Sequence, residues 1–397
     1  MDSLIGRRIA LVSRIFTPEP GAASLRLRAL ARRLHDGGAN VAVFTSTPPR
    51  GTPSAEPSEH YSVSRAPVLR DRAGYVRGYL QYLSFDVPAF FRVLFARRFD
   101  ALIVEPPPTT GVMMRVAAWA RRTPYHFYAA DVWSEAAAVA GAPAFVVRVV
   151  RSFERFAYVG ARSVLAVSES VAERVLAVCE TATVTVVGNG FDTEVFRPDG
   201  TMIVSERPYL LYAGTASEVH GAIIFIQALP LVLSEAPDAR IVFIGQGSER
   251  DAISEAAEAL APGAVEFMSR MSAEETAMWI RGARATLASM LPHGYDAFPT
   301  KMYASAGCGV PVVYAGDNAD QEFFDQPGSG WTADYEPAAV ANAMLEALRH
   351  ERDEQETRQR AEWAEANWSL RAVADRIVDR LNPEAKPHPS RERDATE

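Results

Sequence analysis

At 397 residues, 48% hydrophobic and 23% charged, the chain is long enough for two domains and apolar enough to bury a core in each. A net charge of −8 argues against a general nucleic-acid binder. The longest uncharged apolar run, AAAVAGAPAFVV (136–147), falls short of the ~18–20 residues a membrane span needs.

The first apolar run, RRIALVSRIF (7–16), predicts a β-strand. Arg14 interrupts it and no small-residue cleavage site follows, so it does not read as a leader, and a cytoplasmic protein is expected. A turn containing EPGAA, a helix over SLRLRALARRLHDGG and a strand NVAVFTS follow. Residues 70–98 mix arginines with aromatics. Either they form core-facing helices, or they touch a lipid-linked acceptor and membrane headgroups. ALIVEPPP (101–108), a helix over 110–121 and a strand YHFYAAD (125–131) continue the alternation, with His126 packed inside its strand. SVLAVS (163–168), a helix over 169–178 and VTVVGNG (184–190) close the first half.

The alternation restarts at YLLYAG (209–214) and runs through a helix near 221–234, ARIVFIG (239–245) and a helix over 248–260. AVEFMSR (264–270), a helix over 273–283, ATLASML (285–291) and the last clear strand, VPVVYA (310–315), complete it. Val/Ile/Leu-rich strands alternating with helices imply an α/β fold of two doubly wound, Rossmann-like domains, each a parallel sheet covered on both faces. A final helix over 369–381 precedes a Pro-rich, charged tail expected to be disordered. Cys179 and Cys308 lack metal-type spacing and read as free buried thiols of a reducing compartment.

Ligands of open parallel sheets bind beyond the carboxyl ends of the strands, and two such domains facing each other would make a cleft there. Four turns at those ends carry candidate chemistry. Of 41 basic residues only two are lysines, Lys301 and Lys386. Lys301 lies in DAFPTKMYASAGCGVPVVY, where Pro299 fits a first helical position. A lysine there suits a phosphate, or is a surface charge. In AGTASEVHGA (213–222), His220 could donate to a phosphate oxygen or cap its helix; no GxGxxG or Walker pattern is present. In FTPEPGAASLRLR (16–28), Gly21 allows close approach, and Glu19 and Arg26 either bind a substrate or pair with each other. In AADVWSEAA (129–137), Asp131 is a functional acid or an N-cap. Residues 1–150 carry 19 arginines against 11 acids, which favours an anionic substrate or surface, or reflects solvated helix faces.

These stretches in this order, with LAVSESVAERV, GNGFDTEVFRP, LLYAGT, ARIVFIGQGSERDAI, VEFMSRMSAEE and WSLRAVADRI, resemble the family 4 retaining glycosyltransferases of the GT-B group along nearly the whole chain. The likeness is greatest to the bacterial polysaccharide and natural-product branch. It implies an acceptor domain over 1–190, a nucleotide-sugar domain over 191–368 and a helix over 369–381 crossing back to the first. The donor would meet Gly214, Thr215, His220, Arg270, Met271, Phe298, Pro299, Thr300 and Lys301, with catalysis by Asp296, Asp131 and His220. Glu19, Gly21 and Arg26 would line the acceptor side. His220 and Thr215 stand where the family usually has a lysine and an arginine. The family's paired glutamates fall on Asp296 and Ala304, so the usual carboxylate for the ribose is missing. No metal and no cofactor is implied, the nucleotide-diphospho-sugar being a substrate. Two other readings are a sugar-nucleotide-binding pseudo-enzyme and a UDP-GlcNAc 2-epimerase-like enzyme.

Overall fold

A computed structural model describes residues 4–381, except 20, 50, 53–60, 72–75, 77, 140, 293–300, 318 and 320. The chain divides into two units, Met1–Asn189 with Leu370–Glu397, and Gly190–Ser369.

In the first unit the order is β1 (Arg8–Val12), α1 (Ala22–Asp36), β2 (Asn40–Ser46), β3 (Ser62–Ala66), α2 (Tyr79–Phe95), β4 (Ala101–Val104), α3 (Pro108–Arg121) and β5 (Tyr125–Ala129). It continues through α4 (Trp133–Val139), α5 (Ala144–Gly160), β6 (Ser163–Ala166), α6 (Glu169–Val178) and β7 (Val184–Val186). All seven strands run parallel in the order β3-β2-β1-β4-β5-β6-β7. β4, β5 and β6 are buried at every position, as expected of strands covered on both faces.

The second unit holds β8 (Tyr209–Ala213), α7 (Ile223–Glu235), β9 (Arg240–Ile244), α8 (Arg250–Leu260), β10 (Val265–Met268), α9 (Ala273–Gly282) and β11 (Ala285–Ser289). α10 (Lys301–Gly307), β12 (Val312–Ala315), α11 (Gln321–Phe324), β13 (Gly330–Ala333), α12 (Pro337–Arg349) and α13 (Glu354–Trp368) complete it. Its six parallel strands are ordered β10-β9-β8-β11-β12-β13. Chain order reverses between β1 and β4 in one sheet and between β8 and β11 in the other. Ligand crevices of such sheets open at those switch points.

The last helix, α14 (Leu370–Leu381), belongs to the first unit. Val373, Ile377, Val378 and Leu381 enter its core, each burial contributing about 1.5–3 kcal/mol. Arg33 of α1 pairs with Asp375, and Arg376 Nε donates to the Val187 carbonyl at 2.9 Å.

Two strands, β3 and β13, go beyond the sequence expectation. Both are sheet edges. SVSRA and GWTA are short and partly exposed, without the apolar run that marks a central strand. Core-facing helices describe 79–95 only in part. α2 buries Phe85, Asp86, Ala89 and Val93, while its opposite face stays exposed. His126 is packed as expected, its Nδ1 2.8 Å from Ser163 Oγ, and both cysteines are buried and free. No helix among the described residues is long and apolar enough to cross a membrane.

Candidate functional site

The second unit's switch point is built from the turn after β8. The Gly214 N–H donates to the Ile244 carbonyl at 2.9 Å, and Ala216 N–H to the Gln246 carbonyl at 3.0 Å. This lays residues 214–216 directly against 245–247. A Cβ on Gly245 would stand 1.9 Å from the Gly214 oxygen, and one on Gly247 1.8 Å from the Ala216 oxygen, so only glycine permits the approach. Beyond the turn, Leu291 N–H donates to the Val219 carbonyl at 3.1 Å, and Tyr335 hydroxyl to the Gly221 carbonyl at 2.6 Å. The loop carrying Gly214, Thr215 and His220 is thereby fixed to the ends of β9 and β11. Gly214 and Thr215 are themselves exposed.

Lys301, the first residue of α10, reaches back over this loop. Its Nζ lies 3.8 Å from the centroid of the Tyr212 ring. That ring stacks on Phe243, with centroids 4.5 Å apart and planes 13° from parallel. A cation over an aromatic face is stabilised by the ring quadrupole. The ammonium is nonetheless buried and has no hydrogen-bond partner among the described residues. Burial lowers its pKa to about 7. Near it is His220, whose Nδ1 lies 2.6 Å from Ser217 Oγ. Burial first, and then the Lys301 charge, push the imidazole down to about 4, so it is neutral at pH 7. Ser289, closing β11, is fully buried and its hydroxyl is also unpartnered among the described residues.

A buried amine with no hydrogen-bond partner among the described residues and a neutral imidazole near it form a site that attracts an anion. Arg270 is exposed and Met271 half-buried in the turn after β10; Met271 packs on the apolar cluster of β8 and β9. Asp296, Phe298, Pro299 and Thr300 lie outside the described residues. Ala304 of α10 packs against the cluster of Phe191, Met302, Tyr303 and Tyr314. Tyr212 and Ser217 escaped the sequence reading, since nothing in a strand YLLYA marks one tyrosine as a platform for a lysine far along the chain.

The first unit's switch point rules out one of the two readings of Glu19 and Arg26. Glu19 and Arg26 do not pair with each other. Glu19 is held by the Arg70 guanidinium through both oxygens, at 3.1 and 2.8 Å. Arg26 Nη2 donates to Glu105 Oε1 at 3.0 Å and Nη1 to Asn189 Oδ1 at 2.6 Å. Glu105 follows β4, is buried, and accepts from Ser13 Oγ at 2.8 Å. Burial opposes the Arg26 charge, but Tyr128 and Glu105 outweigh it and raise the guanidinium pKa. Asp131 is exposed after β5, close enough to contribute to the field at Arg26. Its N-cap alternative fails. The backbone N–H groups of Trp133 and Ser134 donate instead to the buried Glu154 carboxylate of α5, at 2.5 and 3.3 Å. Gly21 precedes α1, with open space where a Cβ would point.

Comparison with known proteins decides what these sites belong to. A family described as "Glycosyl transferase 4-like domain" matches residues 21–190, and "Glycosyl transferases group 1" matches 207–350. The chain belongs to the family 4 glycosyltransferases, of the GT-B group. This glycosyltransferase is 28% identical over 192 residues to a phosphatidyl-myo-inositol mannosyltransferase of Propionibacterium freudenreichii, an alignment spanning 47% of each chain. The chain thus covers about half the length of that curated relative. The glycosyltransferase fold recurs in sucrose-phosphate synthase from Thermosynechococcus elongatus, with TM-score 0.68, 18% identity and coverage of 94% and 97% of the two chains. It recurs in Anabaena Alr3699/HepE in complex with UDP and glucose, with TM-score 0.63, 18% identity and coverage of 94% and 99%. A glycosyltransferase from Rickettsia africae gives TM-score 0.66 at 11% identity, over 95% and 98%.

Proposed function

We propose that the glycosyltransferase moves a sugar, with retention of anomeric configuration, from a nucleotide-diphospho-sugar held by the second unit. The acceptor, a small molecule or a lipid-linked one, is assigned to the first unit, and the pathway to natural-product or cell-surface glycan assembly. The observation that carries the reading is the buried Lys301 ammonium, which lies near His220 and has no hydrogen-bond partner among the described residues. The Anabaena relative was solved with UDP and with UDP-glucose, and the Propionibacterium relative is named for mannosyl transfer to a phosphatidylinositol.

As the bond from the anomeric carbon to the diphosphate oxygen breaks, its electron pair stays on that oxygen. Lys301 stabilises the charge that develops there. A Ser217 hydroxyl donating to His220 Nδ1 leaves the imidazole proton on Nε2, a neutral donor for a second phosphate oxygen. Asp296 is assigned to the sugar, and the exposed Asp131 to the acceptor hydroxyl. The acceptor oxygen bonds to the anomeric carbon from the face of the departing diphosphate, which gives retention, and its proton passes to the released diphosphate oxygen.

The test is a thermal-shift panel of UDP, GDP, ADP and dTDP with their sugars, then proton NMR of the product's anomeric coupling. A ligand at 100 times its Kd raises stability by about 2.7 kcal/mol. A melting point that no nucleotide moves would refute donor binding. An inverted anomeric coupling would refute retention, and release of UDP and free sugar from UDP-GlcNAc alone would make the enzyme an epimerase.

A further inference from the structure

α3 packs between α2 and α5 on one face of the first unit's sheet. The outward sides of all three helices are apolar. On α2, Leu80, Leu83, Val87, Phe91 and Phe95 recur at spacings of three and four, which places them in one stripe; Phe95 is 79% exposed. Trp119 of α3 is 81% exposed. On α5, Phe145, Val149, Phe153 and Phe156 form a second stripe. An apolar face spread over three adjacent helices is unusual for a surface that meets only water.

The exposed charges on these helices have one sign. They carry six arginines, Arg92, Arg115, Arg121, Arg148, Arg151 and Arg155, and Arg97, Arg98 and Arg122 follow directly. The only acids within them, Asp86 and Glu154, are buried. Among the described residues none of these arginines has a carboxylate partner. At 100° per residue, Arg148, Arg151 and Arg155 run along one flank of the α5 stripe. Exposed aromatics beside unneutralised arginines match an interface whose interior is apolar and whose surface is anionic.

We propose that α2, α3 and α5 seat the first unit on an anionic phospholipid bilayer, with Leu80, Phe91, Phe95, Trp119 and Phe153 in the headgroup layer. A second copy of the same face would oppose arginine to arginine, which disfavours self-association there. Nucleic acid offers nothing to the leucine and phenylalanine stripes. This surface is independent of the donor chemistry assigned to the second unit.

The test uses the full chain and extruded vesicles of phosphatidylcholine, alone or with about one-third phosphatidylglycerol. The protein is expected to float with the anionic vesicles and to be released by high salt. Combining Arg97→Gln, Arg148→Gln and Arg155→Gln should weaken partitioning about a hundredfold, each basic residue near an anionic surface being worth about fivefold. Phe91→Ser with Phe95→Ser should abolish it at any salt. In the unaltered protein, brominated acyl chains should quench a tryptophan emission that Trp119→Phe removes, a readout independent of how the other variants fold. No flotation with anionic vesicles, binding indifferent to the arginines, or absence of Trp119 quenching overturns the proposal. So does a face that binds an acidic protein, or a second copy, and leaves the vesicles untouched.

Discussion

Replacing Lys301 with methionine keeps an unbranched side chain, shorter by its terminal atom, and removes the charge. The lysine titrates near 7 rather than 10.5 because burial penalises the ammonium. A folded pKa below the unfolded one means that the unfolded chain binds more protons between those values, so stability rises with pH across the window from about 7 to 10.5. At pH 7 the penalty comes to roughly 4 kcal/mol at 1.36 kcal/mol per unit. The Tyr212 face returns about 0.5–2 kcal/mol. Lys301→Met should therefore raise unfolding stability at pH 7 by about 2–3 kcal/mol, a gain of roughly 5–10 °C in Tm for a unit of this size. The gain should vanish above pH 10.5. The same variant should bind a nucleoside diphosphate about 10- to 150-fold more weakly, the loss of one charge-assisted hydrogen bond of about 1.5–3 kcal/mol, while binding the nucleoside unchanged. Differential scanning fluorimetry across pH and titration calorimetry with UDP and uridine read both effects. A variant no more stable than the parent, or equal losses for UDP and uridine, would refute the assignment.

In the parent enzyme, diphosphate affinity should fall by up to tenfold per pH unit between 7 and 9, since binding then requires Lys301 to take up a proton; calorimetry in two buffers counts that proton. Glu105→Ala should destabilise the first unit by roughly 3–5 kcal/mol in urea unfolding, because it strands the buried Arg26 charge. Asp86, fully buried, has its carboxyl pushed up to about 6 by burial, so its contribution to stability is present below about 3.8 and lost as pH rises through 6. Relative to the parent, Asp86→Asn should gain up to about 3 kcal/mol in unfolding free energy between pH 4 and 7. Ala304→Glu should lower both Tm and donor affinity, since it forces a carboxylate against the apolar cluster around Tyr303; a rise in affinity would show that the ribose is merely under-held.

Much of this was legible before any coordinates. Val/Ile/Leu-rich strands gave up their positions because a strand covered on both faces has no polar residue to confuse the pattern. β3 and β13 did not, because an edge strand needs little hydrophobicity. The lysine at 301 stood out against an arginine-rich background, and His220 was placed by its turn. Sequence left open whether Glu19 and Arg26 pair with each other, because the partners they take, Arg70 and Glu105, are remote in the chain. Glu105 left one trace, a carboxylate ending the otherwise apolar strand ALIVE. Over 70–98 the mixture of arginines and aromatics left core-facing and membrane-facing readings both open. That answer depends on α3 and the sheet.

The assignment of α14 to the first unit also bears on synthesis of the chain. A ribosome releases Met1–Asn189 first, yet that unit lacks the helix carrying Val373, Ile377 and Leu381 until the intervening Gly190–Ser369 has emerged. At about 5–20 residues per second the delay is on the order of ten to forty seconds. During it the contiguous second unit can fold to completion, while the earlier-made one holds an uncovered apolar strip along α1. The nascent chain should therefore mature in the reverse of its order of synthesis. A stop codon before Leu370 should yield a protein whose late-made half is sound and whose early-made half is captured by chaperones or proteases.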